Sequence, residues 1–216
     1  MRVDVRSDPV SIRPYLPSDL DDLYRICVQT AENGEDATDL FRDPKLPGHV
    51  YMAPYVTFEP SLAFVAEDAS GVGGYVVAAR DSRAFEQRLK DSWWPVLRAS
   101  YPEPPPEVAE ALPAAERDAL NAIHHPWDTV DELASRFPSH LHIDLLPHLQ
   151  GRGMGRQLIE SLVTALREQG SPGLHLIVGD DNQKAVGFYR HVGFDEVPAA
   201  YLDPALGLHI FIMDLR

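Results

Sequence analysis

The sequence predicts an α/β fold of the α+β kind, a sheet flanked by helices, and three observations carry it. First, an apolar run at 141–146, closed by Pro147, leads through the turn Gln150-Gly-Arg-Gly-Met-Gly155 into a segment where Leu158, Ile159, Leu162, Val163 and Leu166 recur one, three and four residues apart. That is a strand, a turn and one face of a 3.6-residue period. Second, two runs of Val, Ala, Phe and Tyr at 62–67 and 73–79 flank the turn-rich stretch 68–72, the pattern of a hairpin. Third, Ala185, Phe188, Tyr189 and Val192 form another helical face between a strand-like run at 174–178 and two late ones at 194–197 and 208–215.

Taken in order, residues 10–15 alternate and read as a first strand. Pro17-Ser18-Asp19 opens a helix with Ser18 expected as its cap. Leu20, Leu23, Tyr24, Cys27 and Val28 make its apolar face. A helical turn at 37–41 ends at Pro44, and a short helix at 49–58 carries Tyr51 and Tyr55. After the hairpin, helical runs are expected near 113–122 and at 129–137, with a proline cluster at 102–106 between. Asp181 or Asn182 caps the last helix, and Gly193 closes it.

The composition excludes several classes. A net charge of −14 over 216 residues argues against nucleic acid or an anionic membrane as the main partner and suits a cationic acceptor. Cys27 is the one cysteine, so an intramolecular disulfide and a four-cysteine metal site are excluded, and its place on an apolar helix face makes it core filling. Residues 1–9 lack an apolar targeting segment, and no run of 18 apolar residues occurs, so a soluble, cytoplasmic protein is expected.

The glycine turn has a physical use. A helix start carries free N–H groups and the positive end of the macrodipole. Glycines let a bulky anion approach the backbone, and Arg152 and Arg156 add charge. The expected guest is a phosphate or pyrophosphate. The string is neither a nucleotide P-loop, which needs G-x-x-x-x-G-K-[ST], nor a dinucleotide fingerprint, whose third glycine is missing in both frames. The alternative reading is a turn that merely packs a helix closely on a sheet.

The string fits [QR]-x-x-G-x-[GA], and Asn182-x-x-Ala185-x-x-x-Tyr189-x-x-x-Gly193-Phe194 fits N-x-x-A-x-x-x-Y-x-x-x-G-F. In these two motifs, and in Ile12-Arg13 followed by Asp19, the chain resembles the GNAT acetyltransferases from about residue 10 to 214. His140-Leu-His-Ile-Asp-Leu-Leu-Pro147, with the stretches 40–44 and 53–55, resembles more narrowly the acetyltransferase-like domain of O-GlcNAcase and its bacterial relatives. The resemblance implies a mixed, mostly antiparallel sheet of about seven strands in one domain, 1–216. In that frame 82–138 is an insertion, too long for a bare loop, expected to be mostly helical and packed on the core.

It further implies an enzyme of the acyltransferase class that moves acetyl from acetyl-CoA to an amine by direct attack in a ternary complex. A coenzyme-A-binding module without turnover is the alternative, and transfer of another acyl group or to a hydroxyl a third. Gln150, Gly151, Arg152, Gly153, Met154, Gly155 and Arg156 would hold the coenzyme pyrophosphate. Leu145 and Leu146 would bond the pantetheine through their main chain, with the Leu145 N–H on the thioester oxygen. Asn182 would touch the pantetheine or act only as a helix cap, and Tyr189 would face the departing sulfur. Strand parity puts Leu141, Ile143 and Leu145 on one face and His140, His142 and Asp144 on the other. A polar face within a sheet is costly unless it lines a groove, so Asp144 and His142 are the candidate bases, with structural residues and a water relay as the alternative. No metal is expected. The acceptor, a small amine or a peptide or protein lysine, stays open.

Overall fold

The computed structural model describes residues 10–197 and 207–216. The chain enters through an ion-pair clasp. Strand β1, Ser11–Pro14, carries Arg13, whose guanidinium donates to both Asp19 carboxylate oxygens at 2.7 and 2.9 Å. The Leu16 N–H donates to the same carboxylate at 2.8 Å. Ser18 therefore does not cap helix α1, Leu20–Val28; it sits in a 3₁₀ turn, Pro17–Asp19, organised by the buried Asp19. The Arg13 hydrogen bonds hold the Asp19 carboxyl below its ordinary pKa despite burial.

A 3₁₀ turn at Thr38–Leu40 precedes two short helices, α2 (Leu46–Tyr51) and α3 (Ala53–Phe58), where the sequence pattern gave one. They break at Met52, whose backbone leaves the helical region, and Pro54 has no N–H to donate back to the Val50 carbonyl. The hairpin is β2 (Ala63–Asp68) with β3 (Gly71–Ala79). Residues 82–138 are largely helical: α4 (Ser82–Arg88), a π-helical turn to Trp93, α5 (Trp94–Ser100), α6 (Pro106–Ala109), α7 (Ala114–His124) and α8 (Asp131–Arg136). The chain returns through β4 (Ser139–Leu145), α9 (Met154–Glu168), β5 (Gly173–Gly179), α10 (Gln183–His191), β6 (Asp195–Val197) and β7 (Leu208–Asp214).

The seven strands form one sheet in the order β1-β2-β3-β4-β5-β7-β6, antiparallel except for β4 with β5. The expected face alternation of β4 holds. Leu141, Ile143 and Leu145 join the core under α9, where Leu158, Ile159, Leu162, Val163 and Leu166 are buried. Each such burial stabilises the fold by roughly 1.5–3 kcal/mol. The opposite face lies under α1–α3, and Phe85, Leu89, Trp94, Leu97, Leu120 and Ile123 from 82–138 share that core. Cys27 is buried there, its thiol pushed up by desolvation, as expected of core filling.

The feature that positions the site is a gap in the sheet. β4 and β5 pair only at Ser139–Leu174 and His140–His175. Beyond His140 they separate, while β4 continues to pair with β3 as far as Leu145.

Candidate active site

A cleft of about 620 Å³ opens where β4 and β5 part. Its walls are β4 from His142 to Leu145, the glycine turn, one face of α10 along its length and the end of α1. Gly151 and Gly153 both adopt the left-handed conformation, at φ 69° and 79°. Such residues rotate successive N–H groups toward one side, the geometry of an anion nest. Gly153 is the residue before α9, so its N–H and those of Met154, Gly155 and Arg156 have no acceptor within the helix. The first helical bond of this turn is Gln157 N–H to the Gly153 carbonyl at 3.1 Å.

Gln150 departs from the expectation for the loop, and Gly155 has a second role besides its N–H. Gln150 donates its own N–H to the Pro147 carbonyl at 3.2 Å, and its side-chain amide donates to the Leu145 carbonyl at 2.9 Å. It braces the loop rather than lending it an N–H. Gly155 is a close-packing glycine, since a Cβ there would lie 2.9 Å from the Phe188 ring. Arg152 lies 4.0 Å from Asp68, and Arg156 reaches the His191 carbonyl at 3.4 Å.

The strand expectation is corrected in one residue. The Leu146 N–H donates to Gly73 O at 2.9 Å, and its carbonyl accepts from Leu149 N, so Leu146 offers no N–H to the gap. Antiparallel alternation then turns the N–H groups of Leu145 and Ile143 away from β3, toward the side where β5 has left. Ile143 is the residue that pattern reading missed.

Asn182 caps α10 by accepting the Ala185 N–H at 3.0 Å and also lines the cleft. On that helix Val186 and Tyr189 are buried, while Ala185 and Phe188 are only partly so. Tyr189 lines the cleft with its phenol pushed up by burial and by the Asp144 charge, so it stays protonated.

Asp144 accepts a hydrogen bond from the Tyr75 hydroxyl. Burial raises its pKa against the opposing effect of that bond. His142 is held neutral, its pKa lowered by burial to about 4. His140 is structural. The Ser82 hydroxyl donates to the Pro138 carbonyl at 2.7 Å, so it accepts from His140 Nδ1, which leaves Nε2 to accept from the Tyr55 hydroxyl at 2.8 Å.

A second cavity of about 350 Å³ lies on the far side of His142, between β4, β5, α2–α3 and the 82–138 segment. Tyr51 and His142 line both cavities. This junction is the focus of the site: one wall leads to the glycine loop, the other to a chamber built largely by the insertion. Among the described residues no group of three His, Cys, Asp or Glu side chains is placed to hold a metal, and no helix is long and apolar enough to cross a membrane.

The buried histidines set a pH dependence. His140, His142 and His175 all have folded pKa values below the ordinary 6.5. Their contribution to stability is complete above pH 6.5 and is lost as pH falls toward the folded values. His142 alone, at about 4, loses about 2 kcal/mol by pH 5. The raised Asp144 and Glu59 work in the opposite direction, against four histidines once His49, also lowered by burial, is included. Thermal melts should therefore show a lower Tm at pH 5.0 than at pH 7.5; equal values would contradict the buried, neutral state of these rings.

Comparisons with known proteins agree with this geometry. The model of the Acetyltransferase (GNAT) family matches residues 35–194. Protein O-GlcNAcase of Rattus norvegicus is 26% identical over 188 residues, 87% of this chain but 20% of its own length, so the chain spans about a fifth of that relative. The crystal structure of SsHAT superposes with a TM-score of 0.84 at 36% identity, covering 96% of this chain and 98% of SsHAT. A phosphinothricin acetyltransferase from Sinorhizobium meliloti, solved in complex with AcCoA, shares the fold at TM-score 0.56 and 17% identity, covering 95% of this chain and 88% of its own. With the family model spanning most of its length, the chain belongs to the GNAT acetyltransferase family and is a transferase.

Proposed function

We propose that this protein is an acetyl-CoA-dependent N-acetyltransferase that joins acetyl-CoA and an amine in one ternary complex, with 82–138 and the core acting as a single domain. The observation that carries the reading is that two cavities share Tyr51 and His142 as lining residues, one running to the left-handed glycine turn and the other to the 82–138 segment. The Sinorhizobium enzyme of similar fold was solved with AcCoA.

The amides that begin α9 would hold the pyrophosphate, and the pantetheine would lie in the β4–β5 gap as a partial strand against Ile143 and Leu145. The Leu145 N–H would meet the thioester oxygen. The amine nitrogen attacks the carbonyl carbon, negative charge gathers on that oxygen, the C–S bond breaks, and the leaving thiolate, hydrogen-bonded by Tyr189, takes its proton from solvent as it departs. Amide product and free thiol result.

Magnitudes assign the base. A free alkylammonium near pKa 10.4 lies more than six decades above His142 at about 4, a transfer uphill by roughly 9 kcal/mol. His142 therefore does not deprotonate the incoming ammonium. Burial in an apolar chamber lowers the ammonium's own pKa, so the first proton leaves to solvent on entry. His142 then receives the second, from the far more acidic nitrogen that has formed its new bond. Asp144, tied to Tyr75 and lining only the coenzyme cleft, positions the floor of that cleft.

Thiol release on mixing acetyl-CoA with primary amines tests the reading, and mass spectrometry of the product locates the acetyl group. Turnover should rise with pH as the free-base amine increases. Coenzyme binding without release across a broad amine panel would leave a binding module.

A further inference from the structure

The 82–138 segment supplies the walls of the acceptor chamber, and those walls say what kind of amine fits. Aromatic rings dominate: Phe85, Trp94 and Trp127 from the insertion face Tyr51 and Tyr55 from α2 and α3. Every charged group beside them is already compensated. Lys90, the one lysine or arginine among the described lining residues, pairs with Asp128 at 2.6 Å. The Glu86 carboxylate accepts the N–H and the hydroxyl of Thr129 at 2.9 and 2.6 Å and lies 3.4 Å from Arg83. The three lining histidines, His140, His142 and His175, are held neutral by burial.

Two consequences follow. An anionic tail finds no unpaired cation, and a tail with further ammonium groups finds no unpaired carboxylate. Burying either charge without a partner is costly. A flat, uncharged tail instead gains from the ring walls, both by apolar contact and by aromatic stacking.

One wall of the chamber is also tied down. Thr129 on Glu86, Asp128 on Lys90 and Asp131 on Arg83 tie residues 128–131 back onto α4 and the π-helical turn after it. Trp127 lies at the start of this stapled stretch, 55% exposed, with one side on the cavity. A peptide needs an open groove so that its backbone can run past on both sides of the acceptor lysine, and this stapled wall opposes that.

We propose that the acceptor is a small primary amine with a single uncharged aromatic tail, and that Trp127 is a specificity-determining residue that packs on this tail. The proposal rests on the acetyltransferase reading for its use, but the binding it describes does not need the coenzyme.

The test has two arms. Calorimetry of 2-phenylethylamine against the protein alone should give a Kd at least tenfold below those for spermidine, kanamycin and a lysine-containing peptide. In Trp127→Ala that advantage should be lost, and Trp127→Phe should recover most of it. Because Trp127 is half exposed, the alanine variant should keep its fold, checked by circular dichroism. In turnover with acetyl-CoA, Trp127→Ala should raise KM for 2-phenylethylamine about tenfold with kcat within twofold, and leave KM for n-propylamine within twofold. Tighter binding of the peptide or of the polycations, or indifference of 2-phenylethylamine to Trp127→Ala, overturns the proposal. Absence of acetyl-CoA binding in a separate titration overturns the acetyltransferase reading, and the amine arm still decides the chamber.

Discussion

Replacing Tyr189 with phenylalanine is expected to lower kcat about a hundredfold while leaving the Kd for acetyl-CoA within about threefold. The ring is buried among Phe188, Phe194 and Phe211, and phenylalanine keeps that packing, so the substitution removes a hydroxyl and little else. The phenol is pushed up by burial and by Asp144. Complete transfer of its proton to a thiolate of pKa near 8.5 is then more than about 2 kcal/mol uphill. A hydrogen bond to sulfur as the C–S bond breaks is the role that remains, which sets the effect at the lower end of acid catalysis. Steady-state thiol release beside calorimetry reads both quantities. Unchanged kcat would remove Tyr189 from the chemistry and leave it a packing residue.

Gly153→Val should weaken acetyl-CoA by thirtyfold or more without unfolding the protein. Gly153 sits at φ 79°, where an L side chain costs about 1–2 kcal/mol and a β-branched one more. A Cβ there meets nothing within 4 Å, so the loop can relax without a clash. Relaxation means a change of backbone angle, and on the proposed reading that angle aims the amides of Gly153 and Met154 at the pyrophosphate. The loss should therefore appear in binding more than in melting temperature. Differential scanning fluorimetry with and without acetyl-CoA separates them: Tm of the free variant should fall by a few degrees, and the coenzyme-dependent rise expected of the parent should largely vanish.

Local features of this site were legible in the sequence because their causes are local. Periodicity placed α9, alternation placed His142 and Asp144 opposite Leu145, and the glycine string marked the turn that opens α9. Non-local features were not. Ser18 caps nothing because it falls inside a 3₁₀ turn organised by Asp19, whose carboxylate accepts the Leu16 N–H and is held by Arg13 on the preceding strand. The family resemblance implied main-chain bonds from both Leu145 and Leu146, but strand alternation gives the Leu146 N–H to Gly73. The gap between β4 and β5 depends on where two distant segments stop pairing, and no pattern within either strand marks that point. The acceptor chamber is the extreme case: Glu86, Lys90, Trp127 and Thr129 come together only through the packing of an insertion whose sequence shows helices without showing what they enclose.

The most direct test of the account compares two ligands by calorimetry with the unaltered protein: acetyl-CoA, and S-acetylpantetheine, which shares the thioester arm but lacks the pyrophosphate. If the amides opening α9 grip the pyrophosphate, acetyl-CoA should bind with micromolar affinity and S-acetylpantetheine at least a hundredfold more weakly. Equal affinities, or no heat from acetyl-CoA at millimolar concentration, would contradict it.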